Sequence, residues 1–492
     1  MTIGEIEMTI PPFLDRRTFL FGGSAFVGGL ALPAGAVGTK PRLRIGVLTD
    51  VHIHEDYKPS TDILEKELRW LDGQGVEAVV FPGDITNNGR VAELERFAAV
   101  WERVFPSCVA SDGRRVERVI VSGNHDLFTD EVRLGWERVL GEKWDRIWTR
   151  EVKGVLFVCA QHGKQGPGRE IGAWFREHRD ALGNRPAFFH VQHAHPRNTC
   201  HGEFAIEERA ADEGWSTEAL SGFPNAIALS GHSHIPLTDE RAVWQGGFTS
   251  VGCGCSGVVV PTGLGNRRAN GGMPGAKGRA RLQPPALMYG SDAPYTKPDD
   301  LKIPRETAPT MQDGRAGLVI DLYDDRLVVR RRSFYFDEPV GADWTVPFPA
   351  KTGGPYDFAV RAKRFPAPQF ASDACVRVER FALAPDCAGD DYRGKRPCVR
   401  VSYPCATAGG RVFDYVLTAR AGKRIVLTRE LFSRGFHLPE PRSYLDGWCL
   451  LAPEELPADE PVTFKVVPRN EFGACGRGIV SAPFVTDAGK CE

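Results

Sequence analysis

From residue 42 to residue 235 the chain alternates short apolar runs with longer amphipathic ones. LRIGVLTD, VEAVVFPGD, RVIVSGNHD, GVLFVCAQ, PAFFHVQHAHP and AIALSGHSH are rich in β-branched and aromatic residues and read as strands. Between them, STDILEKELRWLDGQG, RVAELERFAAVWERVF, EVRLGWERVLGEKWDRIW (residues 131–148), GREIGAWFREHRDAL (residues 168–182) and WSTEALSGF read as helices. In the first of these, Leu64, Leu68 and Leu71 recur at helical spacing between a Ser/Thr start and a stop at Gly73. Strands that are apolar along nearly their whole length must be covered on both faces. The pattern therefore predicts an α/β core with helices over the sheet faces.

The strand ends carry the chemistry. The first ends in Asp50 and His52, the second in Asp84, and the third in Asn124, His125 and Asp126. A later one ends in His193 and His195, and the last in His232 and His234. Two histidines in one turn would mean little. Five polar strand ends in an α/β pattern mean much more, because such sheets bind ligands at the carboxyl ends of their strands. Imidazole, carboxylate and amide donors without thiolates suit a pair of divalent ions, Mn, Fe or Zn, rather than a structural zinc. Residues two apart on an extended strand face the same side, so His232 and His234 could each serve one ion of a close pair.

In order, these motifs read D-x-H, GD, GNHD, H and GHxH, and that series resembles the calcineurin-like metallophosphoesterases. The resemblance covers residues 44–255 and extends to about 350 through a later β hairpin. It implies a two-sheet β-sandwich flanked by helices. It assigns Asp50, His52, Asp84 and His234 to a first metal. Asp84 would bridge to a second metal, held also by Asn124, His193 and His232. His125 would contact the substrate phosphate and leaving group, while Asp126 would orient His125 or support a strand-end loop. The implied reaction is direct hydrolysis of a phosphomono- or phosphodiester by a metal-bridging hydroxide, without a phosphoenzyme. Among three nearby histidines, His193 fits the fourth motif because it precedes Ala-His-Pro. His190 lies inside the apolar run and reads as a satisfied core histidine. His54 and His195 read equally as contacts near the ligands or substrate and as plain surface residues. His162, His178, His201 and His437 are assigned no role. After Asp84 the chain continues ITNNGR, which departs from the Asp-Arg-Gly of serine/threonine protein phosphatases.

The remaining segments set the organisation. Arg16 and Arg17 precede an apolar Gly- and Ala-rich run that closes with Ala34, Gly35 and Ala36. Residues 1–36 thus read as a twin-arginine signal peptide cut after Ala36, sending the protein to the periplasm or beyond. No other segment is apolar enough to span a membrane. Residues 37–352 are expected to form the catalytic domain, with a long irregular excursion at 256–315 and a hairpin turning at Asp324 and Asp325. Arg330, Arg331 and Arg332 in that hairpin read as a solvated strand face. Residues 353–492 contain only β runs and read as a small all-β sandwich that resembles a fibronectin type III module. It would contact the catalytic domain or a surface partner. Seven cysteines fall in this last quarter, which in an exported protein predicts disulfides. Lys+Arg (62) nearly balances Asp+Glu (63), so charge gives no nucleic-acid signal and the expected partner is a small phosphoester. The other reading is a catalytically inactive surface protein that keeps the fold to bind a glycan or protein. Such a protein would have lost ligands, whereas here every expected position is filled.

Overall fold

The structure is a computed structural model that describes residues 40–56, 59–163, 166–202, 210–257, 315–383, 396–433, 436, 447–451 and 453–486. The expected signal peptide, nearly all of the 256–315 excursion and His437 lie outside the described residues.

Two sheets face each other. In the first, β1 (Leu43–Val47), β2 (Ala78–Pro82) and β3 (Glu117–Val121) run parallel. The hairpin β10 (Ala316–Leu322) and β11 (Arg326–Ser333) adds antiparallel to the free side of β1. The short strands β12 (Glu338–Pro339) and β13 (Trp344–Pro347) close that side. The second sheet has the order β4 (Ile147–Val152), β5 (Val155–Ala160), β6 (Phe188–Val191), β7 (Ala226–Ser230), β9 (Thr249–Gly252), β8 (Val243–Gln245). Within it β5, β6, β7 and β9 are parallel.

Strand alternation decides which face each residue covers. In β2, Ala78 and Val80 enter the core between the sheets, where Phe157, Cys159, Phe189 and Leu229 meet them. Val79 and Phe81 point the other way, onto Leu64, Leu68 and Leu71 of α1 (Pro59–Gly73) and Phe97 and Trp101 of α2 (Val91–Val104). On the far side of the second sheet, Val158, Phe188 and Ala228 pack on Ile171 and Phe175 of α4 (Glu170–Glu177) and Leu220 of α6 (Trp215–Leu220). The result is four layers: helix, sheet, sheet, helix.

Three sequence expectations change. The helix expected over 131–148 stops early: α3 (Glu131–Leu140) ends at Gly141, whose φ of 71° is left-handed. Residues 147–152 are instead β4, because pairing along all of β5 outweighs local helical periodicity. The helix expected over 168–182 is interrupted at His178, giving α4 and α5 (Arg179–Gly183). Finally, Arg331 is not on a solvated face. It is 4% exposed, lies over the Trp344 ring and pairs with Glu240 at 2.9 Å.

Beyond residue 370 the described strands form two antiparallel sheets. One contains β14 (Arg377–Leu383), β15 (Arg396–Tyr403) and β18 (Gly447–Leu451). The other is built on β16 (Asp414–Ala421), β17 (Arg424–Phe432) and β19 (Pro461–Arg469), with β20 (Ile479–Val480) and β21 (Phe484–Val485) beside β19. Val399, Val401, Tyr415, Leu417 and Phe464 share their core. Cys375, Cys449 and Cys475 carry free thiols, so the expected disulfides do not involve them. Cys449 is packed in this core. Cys387 and Cys491 lie outside the described residues. These sheets abut the α/β part through α7 (Phe358–Ala362). There Arg361 pairs with Glu240 at 2.5 Å, which also accepts from Trp344 Nε1 at 2.8 Å. Arg241 lies over the Phe413 ring, 4.6 Å from its centroid. Among the described residues no helix is long and apolar enough to cross a membrane.

Candidate metal centre

The parallel strands of both sheets end along one edge, and the polar strand ends meet there. Asp50 and His52 follow β1, Asp84 follows β2, and Asn124 and His125 follow β3. From the other sheet come His193 after β6, and His232 and His234 after β7. Asp50, His52, Asp84, His232 and His234 all have positive φ, between 48° and 70°. Side-chain-bearing residues avoid this left-handed region. Its repetition here shows a backbone bent to turn side chains inward, a form of strain that concentrates at functional sites. His232 and His234 therefore reach the site from a bent turn, not from the same side of an extended strand end as the sequence suggested.

Two groups of donors result. Asp50, His52, Asp84 and His234 form one, and Asp84, His193 and His232 form the other, so Asp84 belongs to both. Asn124 Oδ1 lies 3.1 Å from His193 Nε2 and extends the second group. His52 Nε2 and His234 Nε2 are 3.1 Å apart, His234 Nε2 is 3.1 Å from Asp50 Oδ1, and His193 Nε2 is 3.2 Å from Asp84 Oδ2. Donors bonded to one ion at ~2.1 Å stand about 3.0–3.5 Å apart. The donor set therefore fits a divalent ion in each group. An independent sign is Asp84 Oδ2, which is buried and accepts no hydrogen bond despite the nearness of His193. The neighbouring atoms fix the rings. His193 Nδ1 donates to Pro82 O at 2.7 Å, which directs the Nε2 lone pair to the centre. The backbone N–H of His232 donates to the Asp50 carboxylate at 3.0 Å and ties the last motif to the first.

Electrostatics follow from burying these groups together. Burial raises the Asp50 carboxyl, but His234 and His193 outweigh it and bring it down to about 2. Asp84 is held well below the usual carboxylate range in the same way, against burial, by His193 and His52. Burial and His234 push His52 down to about 3, and burial and His193 push His232 down to about 4. His193 goes the other way, to about 9, because Asp84 and Asp50 overcome its burial. His234 is likewise raised, against burial, by Cys255 and Asp50. The carboxylates and imidazoles thus shift one another in opposite directions, and the donors must be deprotonated for a metal to bind.

Residues 43–236 match the profile of the family described as calcineurin-like phosphoesterase. Several solved structures are similar. A dimetal phosphatase from Danio rerio is 12% identical, covers 63% of this chain and 100% of its own, and has a TM-score of 0.34. Purple acid phosphatase from yellow lupin is 13% identical, covers 62% of this chain and 53% of its own, and has a TM-score of 0.38. A conserved uncharacterised protein of Streptococcus pneumoniae, described as a predicted phosphoesterase, is 14% identical, covers 62% of this chain and 97% of its own, and has a TM-score of 0.27. No curated protein matches the sequence significantly.

The other polar residues of the α/β part sort by their partners. His125 Nδ1 donates to Asn87 O at 2.8 Å, and the ring lies edge-on to His52 with centroids 4.5 Å apart. Asp126 does not hold that ring. Its carboxylate accepts from the backbone of Thr86 and Gly123, each at 2.8 Å, and from the Thr86 hydroxyl, so it braces the loops after β2 and β3. Burial and Asp84 raise its pKa to about 6. His195 is not a surface residue. Its two nitrogens meet Ser230 Oγ at 2.7 Å and Ser233 Oγ at 2.8 Å, which clamps the turn bearing His232. His190 is the satisfied core histidine expected, bonded to Val158 O and Gln192 Oε1. His54 accepts from its own loop at Asp56 N. His201 is buried beside Asp239, and His178 stacks on Trp174. Sequence reasoning passed over His162. It follows β5 at the same sheet edge, and its ring centroid lies 5.4 Å from that of His193 and 6.0 Å from that of His232. The signal was present, since β5 too ends in a histidine, but no second motif residue drew notice to it.

Proposed function

We propose that the chain is an exported hydrolase of small phosphomono- or phosphodiesters that works with two divalent metal ions. The observation that carries this reading is Asp84, shared between two groups of buried donors. Asp50, His52, Asp84 and His234 would hold one ion, and Asp84, Asn124, His193 and His232 the other. Mn, Fe and Zn suit this imidazole, carboxylate and amide set. When bound, two such ions supply charge neutralisation at phosphoryl oxygens and a nucleophilic water near neutral pH.

The chain's own residues do the rest. Pro82 O and Asp50 orient His193 and the His232 turn, so the donors need little rearrangement on binding. With Nδ1–H on Asn87 O, the imidazolium form of His125 can give its Nε2 proton to the departing alkoxide and is left as the neutral ring. A positioned proton donor is worth roughly 10²–10⁴ in rate. Export is supported by Arg16 and Arg17 ahead of the apolar run and by the Ala34-Gly35-Ala36 triplet. The C-terminal sheets are read as a fibronectin type III-like module beside the catalytic part.

The test is to load the protein with Mn²⁺ or Zn²⁺, measure metal per protomer, and assay aryl phosphate and bis-aryl phosphate. His125→Ala should retain both ions and lose most rate on esters with poor leaving groups. A protein that holds two ions yet turns over neither ester class would refute the hydrolase reading.

A further inference from the structure

We propose that His162 is a further substrate-contacting residue, binding a phosphoryl oxygen from the flank of His193 and His232, away from His125. The inference rests on the phosphoesterase reading and extends it. His162 is 4% exposed, and its backbone is pinned on both sides: its N–H donates to Ser122 Oγ at 3.1 Å and its carbonyl accepts from Arg146 at 2.7 Å. The backbone of His162 is therefore held in place, and its side-chain Nδ1 is buried with no partner in the protein. His190 shows what a purely structural histidine looks like in this sheet, with both nitrogens bonded. Buried polar atoms are nearly always paired, so an orphan calls for a partner from outside the chain.

The neighbouring orphan gives the chemistry of that partner. Gln161 Oε1 is taken by the backbone N–H of Ser122 at 2.7 Å, while its Nε2 is buried without an acceptor. An amide nitrogen only donates, and a neutral imidazole has one N–H to give. At the end of β5, Gln161 Nε2 thus lacks an acceptor, and His162 Nδ1 is a donor in one tautomer, which together suit an oxyanion. A metal-ligand role fits less well. The second group is already supplied by Asp84, His193, His232 and Asn124, and His162 stands outside it. His125 lies beside His52 in the first group, so a bound phosphoryl group would meet one imidazole from each flank.

The experiment compares wild type with His162→Ala and His162→Asn, the latter keeping a polar group if the former fails to fold. Metal content is measured first, then inorganic phosphate binding to the metal-loaded protein by calorimetry, then kcat and KM on bis-aryl phosphate. Expected are two ions retained and phosphate affinity reduced roughly 10- to 100-fold, the worth of a hydrogen bond to a charged oxygen. Loss of one ion from a folded variant would make His162 a ligand and overturn the proposal. Unchanged phosphate affinity and kcat/KM would make it a packing residue and overturn it as well. Wild type without metal would instead bring down the parent reading, so the two failures are distinct.

Discussion

Gly231→Ala should strip metal from the first donor group while leaving the fold intact. A Cβ on Gly231 would sit 2.0 Å from Thr49 Oγ1 and 2.4 Å from Asp50 Oδ2. Ordinary contact begins near 3.4 Å, so the Asp50 carboxylate must retreat by about 1 Å. Thr49 cannot yield freely, because its hydroxyl donates to that same carboxylate at 2.8 Å. Over-packing of this kind costs roughly 1–3 kcal/mol. The φ of Gly231 is not in the left-handed region, so the alanine regains about 0.4–1 kcal/mol through the unfolded chain. A net loss of about 1–2 kcal/mol leaves an ordinary domain folded. Metal binding should suffer more, since disturbing even the residues behind the ligands costs roughly 10–100-fold in affinity. Gly123→Ala sharpens the case. Its Cβ would meet Asp84 Oδ1 at 2.1 Å, and Asp84 serves both groups, so both ions should weaken. Gly73→Ala, with nothing within 4 Å, is the control. Elemental analysis after equilibration with Mn²⁺ or Zn²⁺, beside circular dichroism, reads the outcome. Two tightly held ions in folded Gly231→Ala would show that Asp50 is not a ligand.

His195→Ala removes two buried hydrogen bonds, to Ser230 and Ser233. It should lower stability by roughly 2 kcal/mol in urea unfolding and loosen the second ion; unaltered metal affinity would show that the clamp does not set the turn. Glu471 is raised to about 8 by burial and Asp239, so the folded state holds its proton more tightly than the unfolded chain. Its contribution to stability is therefore greatest below the usual glutamate value of 4.5 and is lost as pH climbs through about 8. Glu471→Gln should raise the thermal midpoint at pH 8.5 relative to wild type and change it little at pH 4.5; equal shifts at both would refute this. A chain ending after Ala350 keeps Trp344, Val346 and Phe348 in the inter-sheet core and should fold and bind metal. An aggregated, metal-free product would show that the Arg361–Glu240 junction completes the α/β part.

Much of the α/β pattern was legible because buried parallel strands need continuous apolar runs, and these stand out. Residues 147 and 148 were misread because Trp148 and its neighbours carry a helical period that only pairing with β5 overrides. Arg331 was misread because a charge in a strand looks solvated until Glu240 and Trp344 are brought to it from far along the chain. The polar strand ends were legible as a set, and the structure gathers Asp50, His52, Asp84, Asn124, His193, His232 and His234 at one edge. The tasks of Asp126 and His195 were not legible, since each depends on partners from other loops.

The sequence by itself determined which residue types stand at the ends of the buried strands, because local apolar runs and their polar stops need no partner to be read. Only the tertiary structure decided how those residues divide into two groups around Asp84. That division depends on two sheets placing their carboxyl ends together and on five of the candidate donor residues held at positive φ, an arrangement that packing enforces and local propensity opposes.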